Sequence, residues 1–127
     1  MTIQKFEDLI AWQKARLLTN EIYRIIKKPI FCKDFALVNQ ILRSSRSIMS
    51  NIAEGYGRYT FRDYKHFLTI ARGSLTETQN HLHIALDLNY INKEEFQNLY
   101  NLTTEVYRLL NGLIAHLKLN NSKQAGV

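Results

Sequence analysis

Residues 44–77, SSRSIMSNIAEGYGRYTFRDYKHFLTIARGSLTE, decide the fold. Ile48 and Ile52 fall at helical spacing, Gly55 and Gly57 interrupt it, and Thr60 followed by Asp63 has the form of a capping box that starts a new helix. The stretch therefore reads as the end of one helix, a short turn and the start of a second, long helix. Small residues gather on both sides of the turn: Ser44, Ser45, Ser47, Ser50, Ala53 and Gly55 before it, Ala71, Gly73 and Ser74 after it. Small side chains let helix axes approach toward the lower end of the usual range of about 8–10 Å. Gly73 in mid-helix costs about 0.5–1 kcal/mol relative to Ala, which leads us to expect a contact there too close for a side chain. Gly55 or Gly57 is expected to be a left-handed C-cap.

Working outward, Ala11, Ala15, Leu18, Ile22 and Ile25 predict a first helix over roughly 7–28, stopped by Pro29. Val38, Ile41, Ser45, Ile48 and Ile52 place the second at about 34–56. The third, 61–88, turns Tyr64, Phe67, Ala71, Leu75, Thr78, Leu82 and Ala85 inward. Asn92 and Glu95 repeat the start signal, and Phe96, Leu99, Leu102, Val106, Leu109, Leu113 and Leu117 carry the fourth through about 93–119. With one Pro and five Gly in 127 residues, little material exists for the many turns of a β-fold. The expected fold is all-α: an antiparallel, up-down-up-down four-helix bundle, one domain over 1–127 with its core at about 6–119 and a frayed tail at 120–127.

A single Cys32 allows no internal disulfide, and with no apolar leader the chain reads as cytoplasmic. No apolar run approaches the roughly 20 residues that span a bilayer, so no membrane partner is expected. The net charge of +6 favours anionic partners such as RNA or DNA.

Enzymatic signatures fail in turn. Gly55-Tyr56-Gly57 lacks the third glycine and the preceding strand of a nucleotide loop. His81 and His83 lie about 200° apart on a helix, and no third ligand stands beside either, so no metal is expected and both read as ordinary surface or interface histidines. Cys32 has no local activating partner. Glu54 and Glu77 on neighbouring helices would face each other as an acid–base pair or, more simply, hydrogen-bond with Arg43, Arg72 or Ser74. No catalytic residue, cofactor or enzyme activity is expected.

Two surfaces remain. On the second helix Gln40, Arg43, Ser47, Ser50 and Glu54 form a polar stripe opposite the apolar one. Either it is a solvated face or, because its middle is small, a buried polar network or subunit contact. At one pole an antiparallel bundle collects Lys5, Arg58, Arg62, Lys118 and Lys123, while Tyr56, Tyr59, Phe61 and Tyr64 interleave with Arg58, Arg62 and Lys65. That pattern suits either stacking and phosphate binding or a turn stapled to the core. On the third helix, Ile70, Ile84 and Leu88 lie off the main stripe and would stay exposed in a monomer.

SIMSNIAEGYGR at 47–58, FLTIARGSLTE at 67–77 and LIAWQKA at 9–15 resemble the four-helix-bundle proteins named for reading frames in intervening sequences of bacterial 23S ribosomal RNA genes. The resemblance spans roughly 6–119 and rests on Trp12, Gln40, Arg43, Ser47, Asn51, Ile52, Ala53, Glu54, Gly55, Phe67, Ala71, Gly73, Ser74 and Glu77. It implies a ring-like homopentamer akin to the basic accessory pentamers of retroelements, which engage nucleic acid and a reverse transcriptase, and it implies no enzyme. The expectation is a weak nucleic-acid-binding oligomer; the alternative is a homo-oligomeric scaffold or protein-interaction module with no nucleic-acid role.

Overall fold

Four helices follow one another through short turns in the computed structural model, which describes residues 2–125, with side chains through Asn120. Helix α1 spans Ile10–Ile25, α2 Phe35–Tyr56, α3 Phe61–Asp87 and α4 Lys93–Ala125. Consecutive helices pack against one another, and α1 closes the bundle against α4; no strand occurs among the described residues. This is the all-α four-helix bundle that the spacing predicts.

The ends of the helices follow from local chemistry. Asp8 accepts from the Gln4 and Lys5 amides at 3.0 and 3.3 Å and winds Phe6–Asp8 into a 3-10 turn. Leu9 is extended, with ψ 124°, so α1 starts later than expected. It also ends early, at Ile25, because the residue before a proline is pushed out of the helical region and Lys28 precedes Pro29. A second 3-10 turn, Phe31–Lys33, then buries Phe31 completely. Asp34 caps α2 by accepting from the Leu37 amide at 3.0 Å, and Thr60 caps α3 through the Asp63 amide at 3.1 Å. Asn92 and Glu95 form a full capping box on α4: each backbone amide bonds the other's side chain, at 2.9 and 2.8 Å. Helix α4 continues past 119 to Ala125; the last two residues of the expected tail lie outside the described residues.

The left-handed cap is not where glycine suggested. Gly57 ends α2 with φ −75°, and Gly55 is a buried helical residue. A Cβ on Gly55 would meet Phe67 Cβ at 3.0 Å, Tyr64 Cδ1 at 3.1 Å and the Tyr64 carbonyl at 3.2 Å. The close approach of α2 and α3 is therefore made at Gly55. Gly73, expected to make it, has nothing within 4 Å of its Cβ position and is exposed. The left-handed residue is Asn89, φ 59°, after α3, where Tyr90 N bonds Ala85 O at 2.9 Å and Asn89 N bonds Leu86 O at 3.0 Å, a Schellman ending. Asn tolerates that region better than other side chains.

The core runs through Leu18, Ile22, Ile41, Ile48, Ile52, Leu68, Leu75, Leu82, Val106 and Leu110, all fully buried. On α3 the buried position is Leu68, while Tyr64 and Phe67 are half-buried; on α4 Thr103 and Leu110 are buried, while Leu109, Leu113 and Leu117 are half-buried. A helix flanked by two neighbours buries a wide stripe, so a narrow row of one side chain per turn misplaces its centre.

Candidate functional site

The polar stripe of α2 lies against α3 and forms a graded seam. At its dry edge Ser44 and Thr78 are buried: the Thr78 hydroxyl donates to the Ser74 carbonyl at 2.9 Å and lies 2.8 Å from the Ser44 hydroxyl. Further out, Ser47 Oγ and Ser74 Oγ are 2.8 Å apart, and Asn51 donates to the Ser47 carbonyl and hydroxyl at 2.8 and 2.9 Å. Toward solvent, Arg43 donates to Gln40 at 2.8 Å and to Glu77 at 3.2 Å. Short hydroxylated side chains make these inter-helix bonds because no long side chain holds the helices apart. Glu54 does not join the seam. It pairs with Arg58, four residues on, at 2.8 Å, so Glu54 and Glu77 serve different arginines and form no acid–base pair; Arg72 bonds Asn111 instead.

His81 was not expected in this seam. It is 8% exposed, neither ring nitrogen has a hydrogen-bond partner, and Nε2 is 3.8 Å from the Glu77 carboxylate. Burial pushes its pKa below the ordinary histidine value, the Glu77 carboxylate works against that shift, and the Arg43 guanidinium adds to it. The signal was present in its phase: His81 follows Ser74 and Thr78 on the face of α3 turned to α2. His83 points elsewhere, with its ring 4.9 Å from Phe96 and 5.5 Å from Tyr100. Among the described residues, no group of three or more His, Cys, Asp or Glu could hold a metal ion.

At the α2–α3 turn the aromatics divide. Tyr56 and Tyr64 meet edge to face at 6.3 Å and are half-buried, and burial, helped by Tyr56, raises the Tyr64 hydroxyl to about 12. These two rings fasten the turn to the core. Tyr59 touches no core: it is 104% exposed. Arg58 lies over the Phe67 ring at 4.7 Å and bonds Glu54 at 2.8 Å, so its guanidinium already has two partners. Arg62 and Lys65 are exposed and in no ion pair among the described residues. Lys118 is exposed on the turn of α4 whose Leu117 and Asn120 reach the same pole as Arg58 and Tyr59. Lys5 is exposed beside the Phe6–Asp8 turn, which packs on α1 and α2; the side chain of Lys123 lies outside the described residues. No helix is long and apolar enough, among the described residues, to cross a membrane.

A basic four-helix bundle with a small-residue polar seam between its two central helices defines the class of this chain. The model of the 23S rRNA-intervening sequence protein family matches residues 7–112, and the chain belongs to that family. A crystal structure of a protein of unknown function from the S23 ribosomal protein family of Bacteroides thetaiotaomicron is similar over 83% of this chain and 98% of its own, with 29% identity and a TM-score of 0.76. No curated protein matches the chain.

Proposed function

We propose that this chain is a non-catalytic, self-associating accessory protein that binds nucleic acid weakly and without sequence preference at the α2–α3 turn. One observation carries the reading: a fully exposed Tyr59 near Arg62 and Lys65, two cations in no ion pair among the described residues, at one end of the bundle of a chain with net charge +6. A tyrosine with no packing role offers its face to a base, and exposed cations suit phosphates. Self-association is supported by Ile70, Ile84 and Leu88, which stand exposed along α3 beside the seam, with Gly73 presenting open space between them. The likeness to basic retroelement accessory proteins makes a ring of five copies the expected assembly. Repeating Arg62 and Lys65 around a rim would let weak contacts act together through effective concentration.

The test combines light scattering with fluorescence anisotropy over a salt series. An oligomer should bind single-stranded RNA or duplex DNA at low salt, and affinity should fall steeply as salt rises. Replacing Arg62 and Lys65 by Ala should leave the oligomer intact and lower the slope by about 0.7 per lost phosphate contact on single strands. Arg58 is a poorer probe, since its removal also strips the Phe67 face. A monomer at micromolar concentration would defeat the self-association, and an oligomer that binds nothing at low salt would leave a scaffold assembled through α3.

A further inference from the structure

The α2–α3 turn carries two adjoining hollows of different chemistry with Phe61 as the wall between them. One is lined by Arg58, Tyr59, Phe61, Tyr64, Leu117 and Asn120 and is aromatic. The other is lined by Phe61, Arg62, Asp63, Lys65, His66 and Thr69 and is cationic. We propose that this pair of hollows is a binding site for unpaired nucleotides, with a base seated on Tyr59 in the aromatic hollow and the phosphate chain running past Phe61 to Arg62 and Lys65. The inference rests on the nucleic-acid reading above and names its substrate class.

The exposed ring selects single strands, and its surroundings shape the site. A base inside a duplex is stacked on both faces and has none to offer Tyr59, whereas an unpaired base stacks on any exposed ring. Tyr64 and Phe61 are half-buried and form a fixed floor and wall, so only Tyr59 needs to order on binding. Arg58 lines the edge of the aromatic hollow and there contacts Glu54 at 2.8 Å and the Phe67 ring at 4.7 Å. Among the described residues, Asp63 is the carboxylate that lines the cationic hollow with Arg62 and Lys65, and it lies in the first turn of α3, where the helix dipole offsets its charge.

The experiment measures anisotropy of a fluorescein-labelled oligouridylate single strand and of a duplex RNA of equal length at low salt. Wild type, Tyr59→Ala, Tyr59→Phe and the Arg62→Ala/Lys65→Ala double variant are compared. Tyr59 packs on nothing, so its variants should keep the wild-type circular dichroism and size. Tyr59→Ala should weaken single-strand binding about fivefold or more, the lower bound for losing one base–aromatic stack, and leave duplex binding within twofold. Tyr59→Phe keeps the ring and should stay within twofold on both probes. The double variant should weaken both. The assignment is overturned if Tyr59→Ala weakens both probes equally or neither, or if wild type prefers the duplex; those results leave a phosphate-binding pole intact. Absence of binding to either probe by wild type removes the nucleic-acid reading itself.

Discussion

The same substitution, Gly→Ala, should change stability in opposite directions at Gly55 and Gly73. Both residues are helical, so a methyl group gains about 0.5–1 kcal/mol by reducing the freedom of the unfolded chain and favouring the helix. At Gly73 nothing lies within 4 Å of the new atom, and the gain stands alone. At Gly55 the methyl would meet Phe67 Cβ at 3.0 Å and the Tyr64 carbonyl at 3.2 Å. Neither is the tip of a flexible side chain; both yield only if α3 moves. Overpacking of this kind costs about 1–3 kcal/mol, which offsets or outweighs the helical gain of about 0.5–1 kcal/mol and leaves a net loss of up to about 2.5 kcal/mol. In thermal melts followed at 222 nm, Gly73→Ala should raise Tm by about 2–5 °C and Gly55→Ala should lower it by a similar or larger amount. Sizing of the same samples adds a second readout, since a smaller particle for Gly73→Ala would mean that a neighbouring copy fills the open space. A rise in Tm for Gly55→Ala equal to that of Gly73→Ala would refute the close contact at the α2–α3 turn.

Two further predictions concern the seam. His81 is kept neutral when folded, with a pKa below the 6.5 of an unfolded histidine, so its contribution is complete above about pH 6.5 and is lost as pH falls from there toward the folded value. Tm measured between pH 7.5 and 5 should decline in that window, and His81→Leu should flatten the decline; an equal slope in the variant would acquit the histidine. Glu95, whose pKa is lowered first by Lys28 and then by the Asn92 amide, acts in a separate window, losing its contribution only as pH falls below 4.5. Thr78→Val should cost about 0.5–1.5 kcal/mol, because the buried Ser44 hydroxyl loses its 2.8 Å contact with Thr78 and keeps only the Ile41 carbonyl at 3.3 Å. The double variant with Ser44→Ala should cost less than the two singles added together; urea denaturation that shows strict additivity would mean the hydroxyl pair is not coupled.

Much of this structure was legible in the chain because caps and helical periodicity are local. Thr60 and the Asn92/Glu95 pair set two helix starts, and the small residues on both sides of the turn announced the inter-helix bonds of Ser47 with Ser74; the Asp34 cap of α2 came only with the structure. What failed depended on which face meets which neighbour. Gly55 and Gly73 look alike in sequence, and only the phase of α3 against α2 puts one on Phe67 and the other in open space. The left-handed ending was sought at glycine, yet backbone geometry assigned it to Asn89, where a Schellman pair of bonds closes α3. His81 read equally as a surface or an interface histidine because histidine is amphipathic; its burial comes from following Ser74 and Thr78 along the inward edge. The turn aromatics could be read as staple or as platform, and the structure divides them, with Tyr56 and Tyr64 fastened and Tyr59 free.

At the opposite pole, two carboxylates each join a helix start to a distant part of the chain. Asp34 holds the Leu37 amide with one oxygen and the Tyr90 hydroxyl, at 2.9 Å, with the other. A single oxygen of Glu95 takes both the Asn92 amide and the Lys28 ammonium, at 2.9 and 2.6 Å. A helix start that is capped only from within its own first turn is free to fray on its own. Here the first turns of α2 and α4 are cross-linked to segments 56 and 67 residues away, so loosening either one also breaks a long-range tie. This end of the bundle is therefore expected to open as one cooperative unit, rather than residue by residue, in amide hydrogen exchange.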